Sequence, residues 1–174
     1  ARASQQPEYI KWIPYIQGAE HLTQINSNSK LAKEWIDKAE KIMNSTKEWN
    51  KQFYPRDYVK GHLYWTKAKI LAWNDNYKGA VEDCNKAIIL DPNYAEAYAA
   101  LANLHFLLTM NLVHSPHDGF KKIKYYAEQA IHLNPEIASA HFSLGKVSLW
   151  FDWSFKKALS HYKRATNSVI TAYS

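Results

Sequence analysis

Two histidines and an aspartate fall within five residues in His114-Ser115-Pro116-His117-Asp118. Imidazole nitrogens and a carboxylate are ligands that zinc takes, so this stretch is the best candidate for metal chemistry in the chain. Such a site needs a third or fourth ligand held by rigid structure, and a loop offers little pre-organisation. Asp118 has a sufficient role without any metal, as N-cap of a following helix. The other histidines (His21, His62, His105, His132, His141 and His161) are scattered over separate segments. The single Cys84 excludes a disulfide within the chain, and on an apolar helix face it reads as a buried, inert thiol. There is no nucleophile elbow, phosphate-binding glycine loop or paired-cysteine motif. The expectation is a non-catalytic protein without cofactor or metal. Turnover by this chain would overturn it.

Composition narrows the partners. The 174 residues suffice for one domain with a real core. Lys and Arg outnumber Asp and Glu by 22 to 16, a net charge of +6. Only Arg2, Arg56 and Arg164 are arginines, and the lysines are dispersed, with short clusters at Lys121-Lys122-Ile123-Lys124 and Lys156-Lys157. A nucleic-acid surface would show a denser stripe richer in arginine; a solvated helix face accounts for these charges better. No apolar run approaches the ~20 residues that cross a bilayer. The polar opening Ala1-Arg2-Ala3-Ser4-Gln5-Gln6-Pro7 is no signal peptide, and it looks like a cut made in a longer protein. Cytoplasmic placement is expected, with the periplasm as the alternative.

Position must come from a scaffold, and its organising stretch runs from Tyr64 to Tyr98: YWTKAKILAWNDNYKGAVEDCNKAIILDPNYAEAY. Tyr64 and Tyr98 stand 34 residues apart, as do Ala68 and Ala102. Tyr64 and Ala68, four apart, share one face of a first helix. Ala80 and Ala87 are small positions on a second, and Pro92 ends it because proline has no N–H to donate and its ring clashes one turn back. Bulky, small, small, small, proline at a period of about 34 resembles the tetratricopeptide repeat family. The resemblance implies an all-α fold, a right-handed stack of antiparallel helix pairs with about eight helices. Lys67 stands where that family places a core leucine, so its stem should lie along apolar neighbours with the ammonium in solvent.

Taken in order, the chain reads as one domain over 1–174. A diverged helix pair spans 7–43. Its first helix runs from about Pro7 or Glu8 to Leu22 on the stripe Ile10, Ile13, Ile16 and Ala19, kinked at Pro14 or restarted there. Its second runs from about Ser29 to Met43, with Leu31, Trp35, Ala39 and Met43 on the apolar face and N-caps supplied by Asn26-Ser27-Asn28-Ser29. An irregular segment, 44–57, follows, with Phe53, Tyr54 and Pro55 expected to fold back. Repeats cover about 57–93, 94–135 and 136–170. Pro92 recurs as Pro135 and Leu101 as Leu144, 43 residues on, so nine residues are inserted. They are placed in a loop over 109–120, expected to be the least ordered internal segment. The last helix carries Phe155, Ala158, Leu159, Tyr162, Ala165 and Val169 on one stripe and a polar outside, as a cap of the stack requires. The tail from Thr171 is expected to be dispensable.

Three features narrow the resemblance: Tyr15-Ile16-Gln17-Gly18, the insertion before Lys121, and Gly145 followed by Leu149-Trp150-Phe151-Asp152-Trp153. Together they resemble the repeat region that bacteria attach to winged-helix regulators and to adenylate or guanylate cyclases. That likeness implies a regulatory module of a larger signalling protein that binds a protein or peptide partner, or another domain of its own chain. A free-standing scaffold or assembly factor is the alternative. His105 and His141 fall at the family's aromatic core positions and should be packed and hydrogen-bonded. The carboxylate clamp of co-chaperone repeats is missing, since its positions here hold Trp65, Lys69, Ala100, Ser139 and Ser143. The resemblance also implies a concave groove lined by first helices: His62, Trp65, Lys69 and Trp73, then Glu96, Ala99, Asn103 and Phe106, then Ser139, Phe142, Lys146 and Trp150. Trp65 and Phe142 would anchor a peptide with apolar and acidic residues, and Asn103 would bond its backbone. Trp73 and Trp150, near helix ends, read equally well as packing residues.

Overall fold

The computed structural model describes residues 10–25, 28–46 and 55–172, with the side chains of 169, 171 and 172 excepted. Among these residues there are eight α-helices and no strand. They are α1 (Ile13–Gln24), α2 (Ser29–Ser45), α3 (Arg56–Trp73), α4 (Tyr77–Leu90), α5 (Ala95–Met110), α6 (Pro116–Leu133), α7 (Ala138–Trp150) and α8 (Phe155–Ala172). Short connections make successive helices antiparallel neighbours, and the contacts run α1 to α2, α3 to α4, α5 to α6 and α7 to α8. The chain divides into two compact units, residues 1–91 and 92–174.

In the first unit, α1 starts at the proline: Pro14 occupies its first turn, where a missing N–H is harmless. The expected start at Pro7 or Glu8 lies outside the described residues, as do Phe53 and Tyr54. Asn28 caps α2 by accepting from the Leu31 N–H at 3.0 Å. The buried line of α2 is Ala32, Ile36, Ala39 and Met43, with Trp35 half-buried beside it, one position round from the expected stripe. α3 packs on both α1 and α2, bringing Val59, Leu63 and Ile70 against Trp12, Ile16 and Ala19. Gly18 is required here: the Trp35 ring lies where its Cβ would be. Lys67 corrects its expectation. Its ammonium is not left in solvent but bonds Glu40 Oε2 of α2 at 2.8 Å.

In the second unit, α7 lies against both α5 and α6. Ala140, Leu144 and Val147 of α7 close over Ala95, Ala99 and Ala102 of α5 and Ile123, Ala127 and Ala130 of α6. Small residues on the receiving pair let the third helix come close, which is where the packing energy lies. Gly145 has the same function as Gly18, since the Tyr162 ring of α8 occupies its Cβ position.

The inserted residues are not a long loop. Against the α3–α4 hairpin, three of the nine extend α5 to Met110, two lengthen the connection to Asn111–Ser115, and four extend α6 back to Pro116. The reason is local. Ser115 Oγ accepts from the Asp118 N–H at 3.2 Å and donates to its carboxylate at 2.7 Å, with Pro116 at the first helical position. The N-cap is therefore Ser115, and Asp118 is its partner one turn in.

α8 also departs from the expected cap. Ala158 and Ala165 are buried, but Leu159 is 56% and Phe155 69% exposed, so its apolar stripe is half uncovered. Thr171 belongs to the last turn of α8 rather than to a tail.

Candidate functional site

The expected groove residues gather into two lysine–aromatic clusters, one in each unit. In the first, His62, Trp65 and Lys69 share one face of α3, at spacings of three and four. They meet Glu20, which α1 contributes one turn after the buried Ile16. Glu20 Oε1 lies 3.1 Å from His62 Nε2 and 3.2 Å from Lys69 Nζ, and accepts from Thr66 Oγ1 at 3.3 Å. Lys69 Nζ also sits 3.5 Å from the centre of the Trp65 ring, a cation–π contact. Burial works against the Glu20 carboxylate, but the bonds and charges of His62 and Lys69 outweigh it and hold the group at about 2. Burial pushes Lys69 down, and Glu20 offsets part of that. Trp73 packs against the unit's apolar core. A cavity of about 270 Å³ opens beside Glu20 and His62, floored by Trp12, Ile13 and Ile16.

In the second unit, α5 contributes Asn103 and Phe106, and α7 contributes Phe142 and Lys146. Lys146 Nζ donates to Asn103 Oδ1 at 3.1 Å and lies 4.1 Å from the Phe106 ring centre and 4.8 Å from that of Phe142. No carboxylate among the described residues pairs with it. Burial alone pushes its pKa down. Phe142 is 49% exposed and leans on Tyr162 at 5.4 Å between ring centres. Ala99 is in the core instead of the surface, Glu96 and Ser139 are exposed, and Trp150, 57% exposed, ends α7.

The histidine-rich stretch is divided by the structure. His114 turns back to His105, its Nε2 3.3 Å from His105 Nδ1. His117 stays at the surface beside Asp118 at 3.5 Å. Among the described residues no group of three or more His, Cys, Asp and Glu could hold a metal. His105 is buried and stacked on Tyr126 at 5.2 Å. Burial first, then Lys122 and His114, brings it down to about 4. His141 is buried and bonds the Pro135 carbonyl at 2.9 Å, with its Nδ1 unpartnered. Cys84 is fully buried on α4, and burial with the adjacent Asp83 pushes its thiol up to about 12, so it is no nucleophile at neutral pH. No helix among the described residues is long and apolar enough to cross a membrane.

Comparison with solved structures decides the architecture of these eight paired helices. A crystal structure of MamA, a tetratricopeptide-repeat protein, matches 94% of this chain and 81% of its own at a TM-score of 0.58 and 16% identity. A second MamA structure matches 91% of this chain and 76% of its own, at 0.53 and 19%. The fold is of the tetratricopeptide-repeat type. At such identities the likeness is one of fold. The sequence matches no family model and no curated protein.

Sequence reasoning missed Glu20. A signal existed: Glu20 follows Ile16 by one helical turn, so a carboxylate continues an apolar stripe, and such a residue must find cations nearby.

Proposed function

We propose that this chain is a non-catalytic protein-binding module that holds an acidic segment of a partner against the α5–α7 face of its second unit. The observation that carries this reading is Lys146, an ammonium lodged between two phenyl rings and an amide with no carboxylate supplied by the described fold. A half-buried cation left without a counter-ion carries a desolvation cost, as the downward push on its pKa shows, and a partner's carboxylate would relieve that cost. Charge-assisted hydrogen bonds are the stronger kind, and the flanking Phe106 and Phe142 rings offer apolar contact to the residues beside the acid. Asn103 keeps its amide N–H groups to offer a peptide carbonyl. The α3 face of the first unit, with His62, Trp65, Lys69 and Trp73, is a separate aromatic surface whose lysine is already matched by Glu20. The fold type supports the reading, because stacked helix pairs present long faces of this kind to protein partners.

The test is fluorescence anisotropy with acidic–aromatic peptides selected from an array. Lys146→Met should weaken the best binder at least about tenfold, the share of one charge-assisted contact. Unchanged affinity in Lys146→Met and in the Trp65→Ala, Lys69→Ala double variant would place the functional surface elsewhere. The finer reading makes the partner another domain of the same protein, with this region regulating a winged-helix or cyclase output. It rests on Tyr15-Ile16-Gln17-Gly18 and on the Gly145 to Trp153 stretch. Binding of such an output domain added in trans, sensitive to Lys146→Met, would support it; a scaffold that stands alone would show no such binding.

A further inference from the structure

The second unit contains its own template for what covers a helix pair. On the α5–α6 pair the surface made by Ala95, Ala99, Ala127 and Ala130 is buried beneath α7, each residue at most 5% exposed. Forty-three residues after Ala95 and Ala99 come Ala138 and Phe142. On α8, the buried small residues Ala158 and Ala165 match Ile123 and Ala130, which puts Tyr162 at the place of Ala127. These four equivalents, Ala138, Phe142, Tyr162 and Ala165, together with Thr166 and Ile170, line an open cavity of about 500 Å³. No helix among the described residues covers it. Phe142 remains 49% and Ile170 60% exposed.

Charge indicates the occupant. None of the lining residues is acidic. α8 carries Lys156, Lys157, Lys163 and Arg164 with no Asp or Glu, and Lys156 and Lys163 fall on the same helical stripe as Thr166 and Ile170. We infer that the α7–α8 face is a docking groove for an acidic amphipathic helix of a partner protein, seated as α7 is seated on α5 and α6. Its apolar stripe enters the cavity over the Phe142 and Tyr162 rings, and its flanking carboxylates meet the lysines of α8. The two rings that replace alanines hold the incoming helix further out than α7 sits, so affinity is moderate and salt-sensitive. The inference does not depend on peptide binding at the α5–α7 face.

The test uses the whole chain and a stapled helix of about 18 residues, long enough for the groove. It carries Ala, Leu and Val at the spacing of Ala140, Leu144 and Val147, with glutamates on its flanks. A second probe has lysine for every glutamate. At low salt the acidic probe should bind at least about tenfold tighter than the basic one, and this preference should collapse near about 0.5 M salt. Thr166→Glu and Lys163→Glu, both on exposed residues, should each weaken the acidic probe about tenfold. Lys33→Glu, exposed on α2, should leave it unchanged. Equal binding of the two probes, or full affinity in Thr166→Glu with native circular dichroism, overturns the proposal. A dimer of this chain in sedimentation that Thr166→Glu dissociates would also overturn it, by assigning the groove to a second copy.

Discussion

Lys69 and Lys146 occupy the same place in the repeat, 34 and then 43 residues carrying one to the other through Asn103, yet the two units treat them differently. Both ammonium groups sit on aromatic rings and both are pushed down by burial. In the first unit the fold supplies Glu20, and the cluster is electrically complete. In the second it supplies an amide oxygen and, among the described residues, nothing anionic. Equivalent positions thus differ: one ties α1 to α3, and the other is the one that the proposed acidic partner would complete. The lesson is that repeat register locates a surface, while the charges contributed by the neighbouring helix decide whether it is architecture or recognition.

The largest effect should come from breaking the complete cluster. Glu20→Ala strands a largely desolvated Lys69 and removes the acceptor of three groups, so urea unfolding should show a loss of about 3 kcal/mol. Lys146→Met, which replaces a half-buried cation that has no carboxylate partner among the described residues by an apolar side chain of similar length, should be neutral or slightly stabilising. Equal losses in the two variants would erase the distinction.

Acid should separate the units next. His105 titrates near 6.5 when unfolded but is brought down to about 4 in the fold. The unfolded chain therefore binds the extra proton between those values, and stability, full above 6.5, drains by roughly 3 kcal/mol as pH falls toward 4. Glu20 runs from 4.5 unfolded to about 2 folded, so its contribution is complete above 4.5 and is lost below. The second unit should loosen first, as hydrogen exchange across the pH series would report. His105→Phe should remove the early stage and leave the later one.

Leu159→Ala should cost under about 1 kcal/mol, because more than half of that side chain is already in water. Ile36→Ala at the fully buried line of α2 should cost about 2–5 kcal/mol. A Leu159 loss as large as that of Ile36 would mean that the α7–α8 face is covered in solution. The smallest effect lies in the turns. Asp75 and Leu112 both have φ of 59° at the ends of α3 and α5. The next N–H reaches back to Leu71 and Leu108 at 2.9 Å each, a Schellman closure that favours glycine. Leu112→Gly should raise stability by up to about 1 kcal/mol in thermal melts and Asp75→Gly by less, since aspartate tolerates the left-handed region better than leucine.

The sequence made the helix pairs legible because their period is long and their small residues recur at fixed offsets. It also pointed to Trp65, Lys69, Asn103, Phe106, Phe142 and Lys146 as members of one face on each helix. What it could not reveal were the partners across helices. Glu40 meets Lys67 and Glu20 meets Lys69 through packing of α2 and α1 on α3, and no period relates those positions. The insertion was expected as a loop over 109–120, whereas much of that stretch is helical, although Ser115, Pro116 and Asp118 together spelled a helix start. The stripe of α8 was read as buried because periodicity says which residues share a face, not whether anything lies against it.

The division of the inserted residues has a consequence for how this protein can change over generations. Three residues in α5 and four in α6 are each close to the 3.6 of one helical turn, so lengthening both helices rotates neither apolar face out of register. A lineage can therefore lengthen or shorten such a hairpin by a turn on each arm while its neighbours pack as before. A single residue inserted within the packed part of either helix would swing the remainder of its face through about 100°. Length variants among descendants of this sequence should accordingly cluster at steps of about seven to nine residues, with the extra turn free to acquire a use of its own.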